Sequence, residues 1–249
     1  MKRIVFSLVA ALAIGVVAKA QNLQVHYDFG DERKQITTTL EMFKPDKYGS
    51  TFFFVDLDYS NDTRDVDNGV SLAYWEIARS FKWNETQKFE PRLEYNGGVA
   101  LGENTDYPGD PNYGFPLKNA WLIGGQYTFN NADFSKVLTL QANLKQIKDG
   151  KEDGDNLTGF QLTAVWGIHL LEGKLSLTGF ADFWREDVAV LNDNGSFKGM
   201  KEYVFLTEPQ IWYNANKNFS FGGEIEMSNN FALNDGFMVN PTLAVKWTF

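Results

Sequence analysis

The sequence predicts an all-β chain folded as a transmembrane antiparallel up-and-down β-barrel of about twelve strands. Three observations carry that expectation. Strand-length segments of alternating apolar and polar residues recur from Leu23 to the last residue, Phe249, separated by clusters of Gly, Asn, Asp and Pro. Beyond the first 20 residues no stretch approaches the roughly 20 apolar residues of a membrane helix, although 43% of the chain is hydrophobic and 15% aromatic. The connections alternate between short and long, as in barrels with short turns at one end and long loops at the other.

The chain opens with Lys2 and Arg3, then an apolar run over residues 4–17, then Ala18, Lys19 and Ala20. A charged start, an apolar middle and an A-x-A close predict a secretory signal peptide over 1–20, cleaved to leave a single barrel domain over 21–249. The apolar run is too short to span a bilayer comfortably. Cys is absent, which excludes disulfide frameworks, thiolate metal sites and cysteine nucleophiles. Removing Lys2, Arg3 and Lys19 lowers the cationic count from 23 to 20 against 32 acids, so the mature charge moves from −9 to −12. Nucleic acid is not an expected partner of so acidic a chain.

The expected strands are 23–29, 36–43, 51–59, 70–81, 89–96, 118–129, 137–147, 157–170, 174–186, 203–213, 219–228 and 237–249. An even count puts both termini on the periplasmic side. The predicted short turns are 45–48, 82–88, 130–135, 172–173 and 214–217. The opposite connections, 60–69, 97–117, 148–156, 187–201 and 229–236, are mostly longer, with 30–35 the short exception. In the last strand Pro241, Leu243, Val245, Trp247 and Phe249 form the apolar phase, against Asn240, Thr242, Lys246 and Thr248. An alternating final strand with an aromatic terminus resembles the signal that barrel proteins present to the outer-membrane assembly machinery, which makes that machinery and the lipid bilayer expected partners.

Alternation also assigns faces. Leu23, Val25, Tyr27 and Phe29 face out, leaving Gln24, His26 and Asp28 inside, and Glu90, Arg92, Glu94 and Asn96 are likewise predicted inward. With Phe53, Val55, Leu57 and Tyr59 outward, Phe52, Phe54, Asp56 and Asp58 share the lumen. Phe180, Asp182, Trp184 and Glu186 repeat that combination, as do Glu208, Gln210 and Trp212, while Glu224 and Glu226 also point inward. A purely water-filled pore needs no rings on its wall. Stacking faces beside carboxylates suit flat, polar, ring-containing solutes. The candidate substrate-binding set is therefore Phe52, Phe54, Asp56, Asp58, Glu76, Arg92, Glu94, Phe180, Asp182, Trp184, Glu208 and Glu224. Rings that only fill a narrow barrel are the competing account of the same pattern.

Tyr74, Trp75, Glu76 and Ile77, followed on the next strand by Glu90, Pro91, Arg92 and Leu93, resemble the Tsx-like nucleoside-specific channel-forming proteins of bacterial outer membranes. The resemblance runs over most of the mature chain and agrees in size, leader, strand count and terminal Phe249. It implies a monomeric twelve-stranded barrel with a narrow lumen that passes nucleosides along aromatic and ionisable side chains. No individual binding residue is transferred by it.

The expected function is thus an outer-membrane channel for passive, selective diffusion of small hydrophilic ring-containing solutes. The alternatives are a plugged structural or adhesive barrel that works through its outer loops, and a secreted soluble β-sandwich. No enzyme, cofactor or metal is expected. His26 and His169 are the two histidines, and no serine nucleophile motif accompanies them. The acidic runs 62–67 and 148–155 read as solvated loops, the first lacking EF-hand spacing and the second interspersed with lysines. The connection holding Glu103, Asp106, Pro108, Asp110, Pro111 and Pro116 is long enough to fold over the mouth.

Overall fold

The computed structural model describes residues 21–31, 33–61, 66, 69–84, 86–102, 113–148, 157–192 and 194–249. The predicted leader, most of both acidic runs and residues 103–112 of the long connection lie outside them.

Fourteen strands form one sheet: β1 Gln21–Asp28, β2 Ile36–Asp46, β3 Gly49–Tyr59, β4 Val70–Phe81, β5 Phe89–Gly102, β6 Tyr113–Pro116, β7 Asn119–Asn130, β8 Lys136–Lys148, β9 Leu157–Leu170, β10 Leu175–Leu191, β11 Phe197–Thr207, β12 Gln210–Asn214, β13 Phe219–Asn229 and β14 Phe237–Thr248. Every neighbour pairs antiparallel, and β1 hydrogen-bonds both β2 and β14. Since β9 also pairs β10, the sheet closes into a ring. Closure leaves no second sheet to pack against, which removes the β-sandwich alternative. It also satisfies the backbone of every stave from its two neighbours, the condition a bilayer imposes on strands.

The ring has twelve staves because β11 and β12 are one stave and β6 is an extension. Thr207 pairs Ala181 and Gln210 pairs Thr178, so the register against β10 runs on unchanged across Glu208 and Pro209. Pro209 has no N–H to give the ladder, which splits the strand assignment without shifting it. Its close partner is Gly179, whose φ of +151° and contact with the Glu208 carbonyl exclude a side chain there.

Three boundaries differ from expectation. The expected connection 97–117 is partly strand, because β5 runs to Gly102 and Val99 to Gly102 pair β6 as a raised hairpin. The expected connection 187–201 is shorter, since β10 continues to Leu191 and β11 starts at Phe197. A register shift after Arg185 accounts for this: it interrupts the period of two that sequence reading follows. The first turn also narrows to Lys47 and Tyr48 between paired Asp46 and Gly49.

The outer wall is apolar, with Leu23, Ile36, Ile77, Ile123, Leu144, Leu162, Ile211 and Leu243 all exposed. Aromatic pairs band both ends of that wall. Tyr95–Trp121 at 4.9 Å and Phe183–Tyr203 stacked at 5.7 Å lie toward the long-loop end. Tyr127–Phe129 at 4.7 Å and Tyr213–Phe221 at 5.0 Å lie toward the short-turn end. Amphipathic rings in two girdles around an apolar band are the surface that a bilayer and its interfaces select.

Candidate functional site

The inner wall is built from the opposite phase of each strand, so a polar side chain on one stave meets a polar side chain on the next. On β2 and β3 this gives Thr37 donating to Asp58 at 2.7 Å and Thr39 donating to Asp56 at 2.5 Å. On β4 and β5 the Tyr74 hydroxyl and the Asn96 amide both donate to Glu76, at 2.8 and 3.0 Å. Glu224 accepts from Gln210 at 2.9 Å, and Asp182 accepts from Thr163. Each hydroxyl or amide stabilises a carboxylate without neutralising it.

Cations are fewer and sit at defined points. Arg92 pairs Glu94 on its own strand, both buried. Lys145 on β8 donates to Gln161 at 2.9 Å and lies 4.3 Å from the centre of the Trp184 ring. Lys246 on β14 lies 3.8 Å from the centre of the Trp212 ring. Arg33, from the short connection 30–35, reaches into the barrel to Glu226 at 2.7 Å and Asp28 at 3.2 Å. Inward carboxylates outnumber these cations, so the lumen is predominantly acidic.

The predicted residues fall into two groups. Phe52, Phe54, Asp56, Asp58, Glu76, Phe180, Asp182, Glu208 and Glu224 are partly exposed. Phe52 and Phe54 lie 5.9 Å apart and Phe54 lies 5.9 Å from Tyr74, so rings and the Asp56 and Glu76 carboxylates form one stripe over β3 and β4. Arg92, Glu94 and Trp184 are buried. Trp184 is packed between Lys145 and Phe231, its Nε1 donating to Glu186 at 2.8 Å. Trp212, 0% exposed, is held by Lys246, by an edge contact with His26 at 5.9 Å and by its Nε1 bond to Gln210 at 2.9 Å. Neither indole offers a free face in this state.

His26 is engaged on both ring nitrogens, Nδ1 with Thr242 Oγ1 at 3.1 Å and Nε2 with Gln24 Oε1 at 3.0 Å. Gln24 donates through its amide nitrogen to Asn22, so its oxygen accepts and Nε2 of His26 carries the proton. Among the described residues no group of His, Asp and Glu is arranged to hold a metal ion.

Sequence reading left the β7, β8 and β9 wall unassigned, although Thr139, Gln141, Asn143 and Lys145 alternate plainly with Leu138, Leu140, Ala142 and Leu144. That wall also carries an apolar patch inside the barrel, Ala120, Leu122 and Ile147. The mouth at the long-loop end is crossed from three directions. Arg33 comes from connection 30–35, Lys118 bonds Glu186 at 2.9 Å, and Leu233 of connection 230–236 accepts a backbone bond from Leu191 at 2.9 Å. The same connection brings Phe231 to Trp184, and its Asp235 bonds Lys198 at 2.6 Å and Lys201 at 2.9 Å. These two lysines hold the Asp235 carboxyl below the ordinary carboxylate range.

A profile of a domain of unknown function, DUF5020, matches residues 20–249. The chain belongs to the DUF5020 family. No curated protein matches it significantly. Among solved structures, this DUF5020 barrel is similar to the NanC porin, at 8% identity with TM-score 0.56, covering 92% of this chain and 100% of that one. It is also similar to the KdgM porin, at 12% identity, TM-score 0.46 and 92% and 99% coverage. Outer membrane phospholipase A from Escherichia coli matches at 10% identity, TM-score 0.47 and 92% and 96% coverage. The NanC likeness shows that the DUF5020 barrel shares the fold of that porin.

Proposed function

We propose that this chain is a bacterial outer-membrane channel for the passive, selective diffusion of small hydrophilic ring-containing solutes, with nucleosides the favoured class. One observation carries the reading. Phe54 contacts both Phe52 and Tyr74 beside Asp56 and Glu76, and all five are partly exposed on the inner wall. Rings supply stacking faces and carboxylates accept from sugar hydroxyls or base N–H groups, so a solute with both features is held weakly at successive positions. The acidic wall disfavours anions. The resemblance of Tyr74 to Ile77 and Glu90 to Leu93 to Tsx-like channels supports the same class.

The proposal includes a leader over 1–20, insertion of a monomer by the barrel assembly machinery through the strand ending at Phe249, and short turns on the periplasmic side. No cofactor or energy source enters it. The test is single-channel conductance of the refolded protein in lipid bilayers, titrated with adenosine, thymidine and a sugar of similar size. Saturable block by the nucleosides alone is expected. Equal behaviour of all three would remove the selectivity.

A second reading, a plugged barrel acting through its loops, is favoured by the crossings at the mouth and by the burial of inward Gln24, His26, Glu94, Leu122 and Trp212 to 3% exposure or less. Correctly folded barrels that conduct no small ions would select it.

A further inference from the structure

Inside the barrel one lateral row runs from Arg92 on β5 through Gly124 on β7 and Asn143 on β8 to Gln161 on β9. Asn143 is 5% exposed, yet neither its amide nitrogen nor its oxygen has a hydrogen-bond partner. Leaving a buried amide unpaired is costly, so such a group either binds water or awaits a ligand. Arg92 leaves a second orphan: its Nε–H has no acceptor, although its terminal nitrogen pairs Glu94.

Gly124 separates the two orphaned groups. A Cβ there would meet the Ala142 carbonyl at 2.0 Å and Asn143 Oδ1 at 2.7 Å, so the Asn143 oxygen leans over the place where a side chain is missing. Gly124 itself is partly exposed, whereas Arg92, Asn143 and Gln161 in the same row are buried. Gln141 and Lys145 flank Asn143 on the inner face of β8; Gln141 is partly exposed, whereas Lys145 is held by Gln161 and by the Trp184 ring.

We propose that this row is a recognition subsite for a neutral imide or amide edge of a passing solute. Asn143 supplies one donor and one acceptor, and Arg92 Nε a second donor. That set is complementary to an N–H flanked by two carbonyls, in which the N–H donates to Asn143 Oδ1 and the carbonyls accept from Asn143 Nδ2 and Arg92 Nε. Glu94 neutralises Arg92, so the row prefers a neutral group to an anion. The inference rests on the channel reading and adds the chemical edge that is read.

The test compares uridine with 3-methyluridine, which lacks the imide N–H, as blockers of single-channel current through the full barrel. In the natural protein 3-methyluridine is expected to need a roughly tenfold higher concentration, the effect of one lost buried hydrogen bond. Asn143→Leu, with folding verified by heat-modifiable gel migration, should bring uridine to the 3-methyluridine value. Asn143→Ala serves if the leucine variant does not fold. Equal block by the two probes in the natural protein, or a difference that survives substitution, overturns the subsite and shows Asn143 to be merely hydrated. The channel reading stands in that case provided both nucleosides still block and a sugar does not. If neither nucleoside blocks, the subsite and the channel reading fall together.

Discussion

Two kinds of aromatic side chain face the lumen, and they occupy different regions. Trp184 and Trp212 each lie under a lysine ammonium, with their indole nitrogens bonded to Glu186 and Gln210, and are nearly or fully buried. On β3 Phe54 touches both Phe52 and Tyr74, and Phe52 and Phe54 remain partly exposed. All four share the inward phase of their strands, so alternation alone gives them equal standing. A cation over the ring and a partner for the polar edge turn an aromatic into wall material, whereas a ring without those contacts keeps a face for solute.

The comparison can be broken most forcefully at Trp212. Trp212→Ala is expected to destabilise the barrel by about 3–5 kcal/mol through cavity formation, read as a lower midpoint of heat-modifiable migration in detergent. An unchanged midpoint would make Trp212 a spare face after all. Arg92→Met leaves Glu94 buried without its cation and is expected to cost about 3 kcal/mol. The paired change Arg92→Met with Glu94→Leu should recover most of that loss.

At the exposed stripe the expected effect is on transport. Phe52→Ala with Phe54→Ala should raise the half-saturating concentration of nucleoside roughly three- to tenfold, the worth of aromatic contacts at this scale, while the melting midpoint hardly moves. Loss of folding instead would class these rings with the tryptophans. The smallest effect concerns the mouth. Asp235 has a lowered folded-state pKa because Lys198 and Lys201 bond it, so its tie to β11 is complete above the ordinary carboxylate range and is lost as pH falls through that lowered value. Protease cleavage within 230–236 should rise only at strongly acid pH, and Asp235→Asn should show the elevated rate at neutral pH.

Several elements are legible in the sequence alone. The inward phases of β1, β5 and β13 follow from Gln24, His26 and Asp28, from Glu90 to Asn96, and from Glu224 and Glu226, because one face meets apolar surroundings and the other water. The outer ends were less legible. β10 runs on past Glu186 through a register shift, and β5 continues through Gly97 and Gly98, whose composition suggests a turn. In both cases pairing with the neighbouring strand overrides local propensity.

The candidate site divides in the same way. Sequence placed Phe52, Asp56, Phe180 and Asp182 on inward phases, since a period of two is local and needs no partner. It left undetermined that Lys145 would cover Trp184, that Arg33 would enter the barrel to meet Glu226, or that Asn143 would be orphaned beside Gly124. Those contacts join residues from different strands or a loop, and their geometry depends on register, barrel closure and side-chain reach. By itself the sequence determined a closed, acidic barrel with alternating faces. Only the tertiary structure decided which inward side chains hold one another and which are left for a solute, because hydrogen-bond satisfaction across a ring is a property of neighbours and not of any single strand.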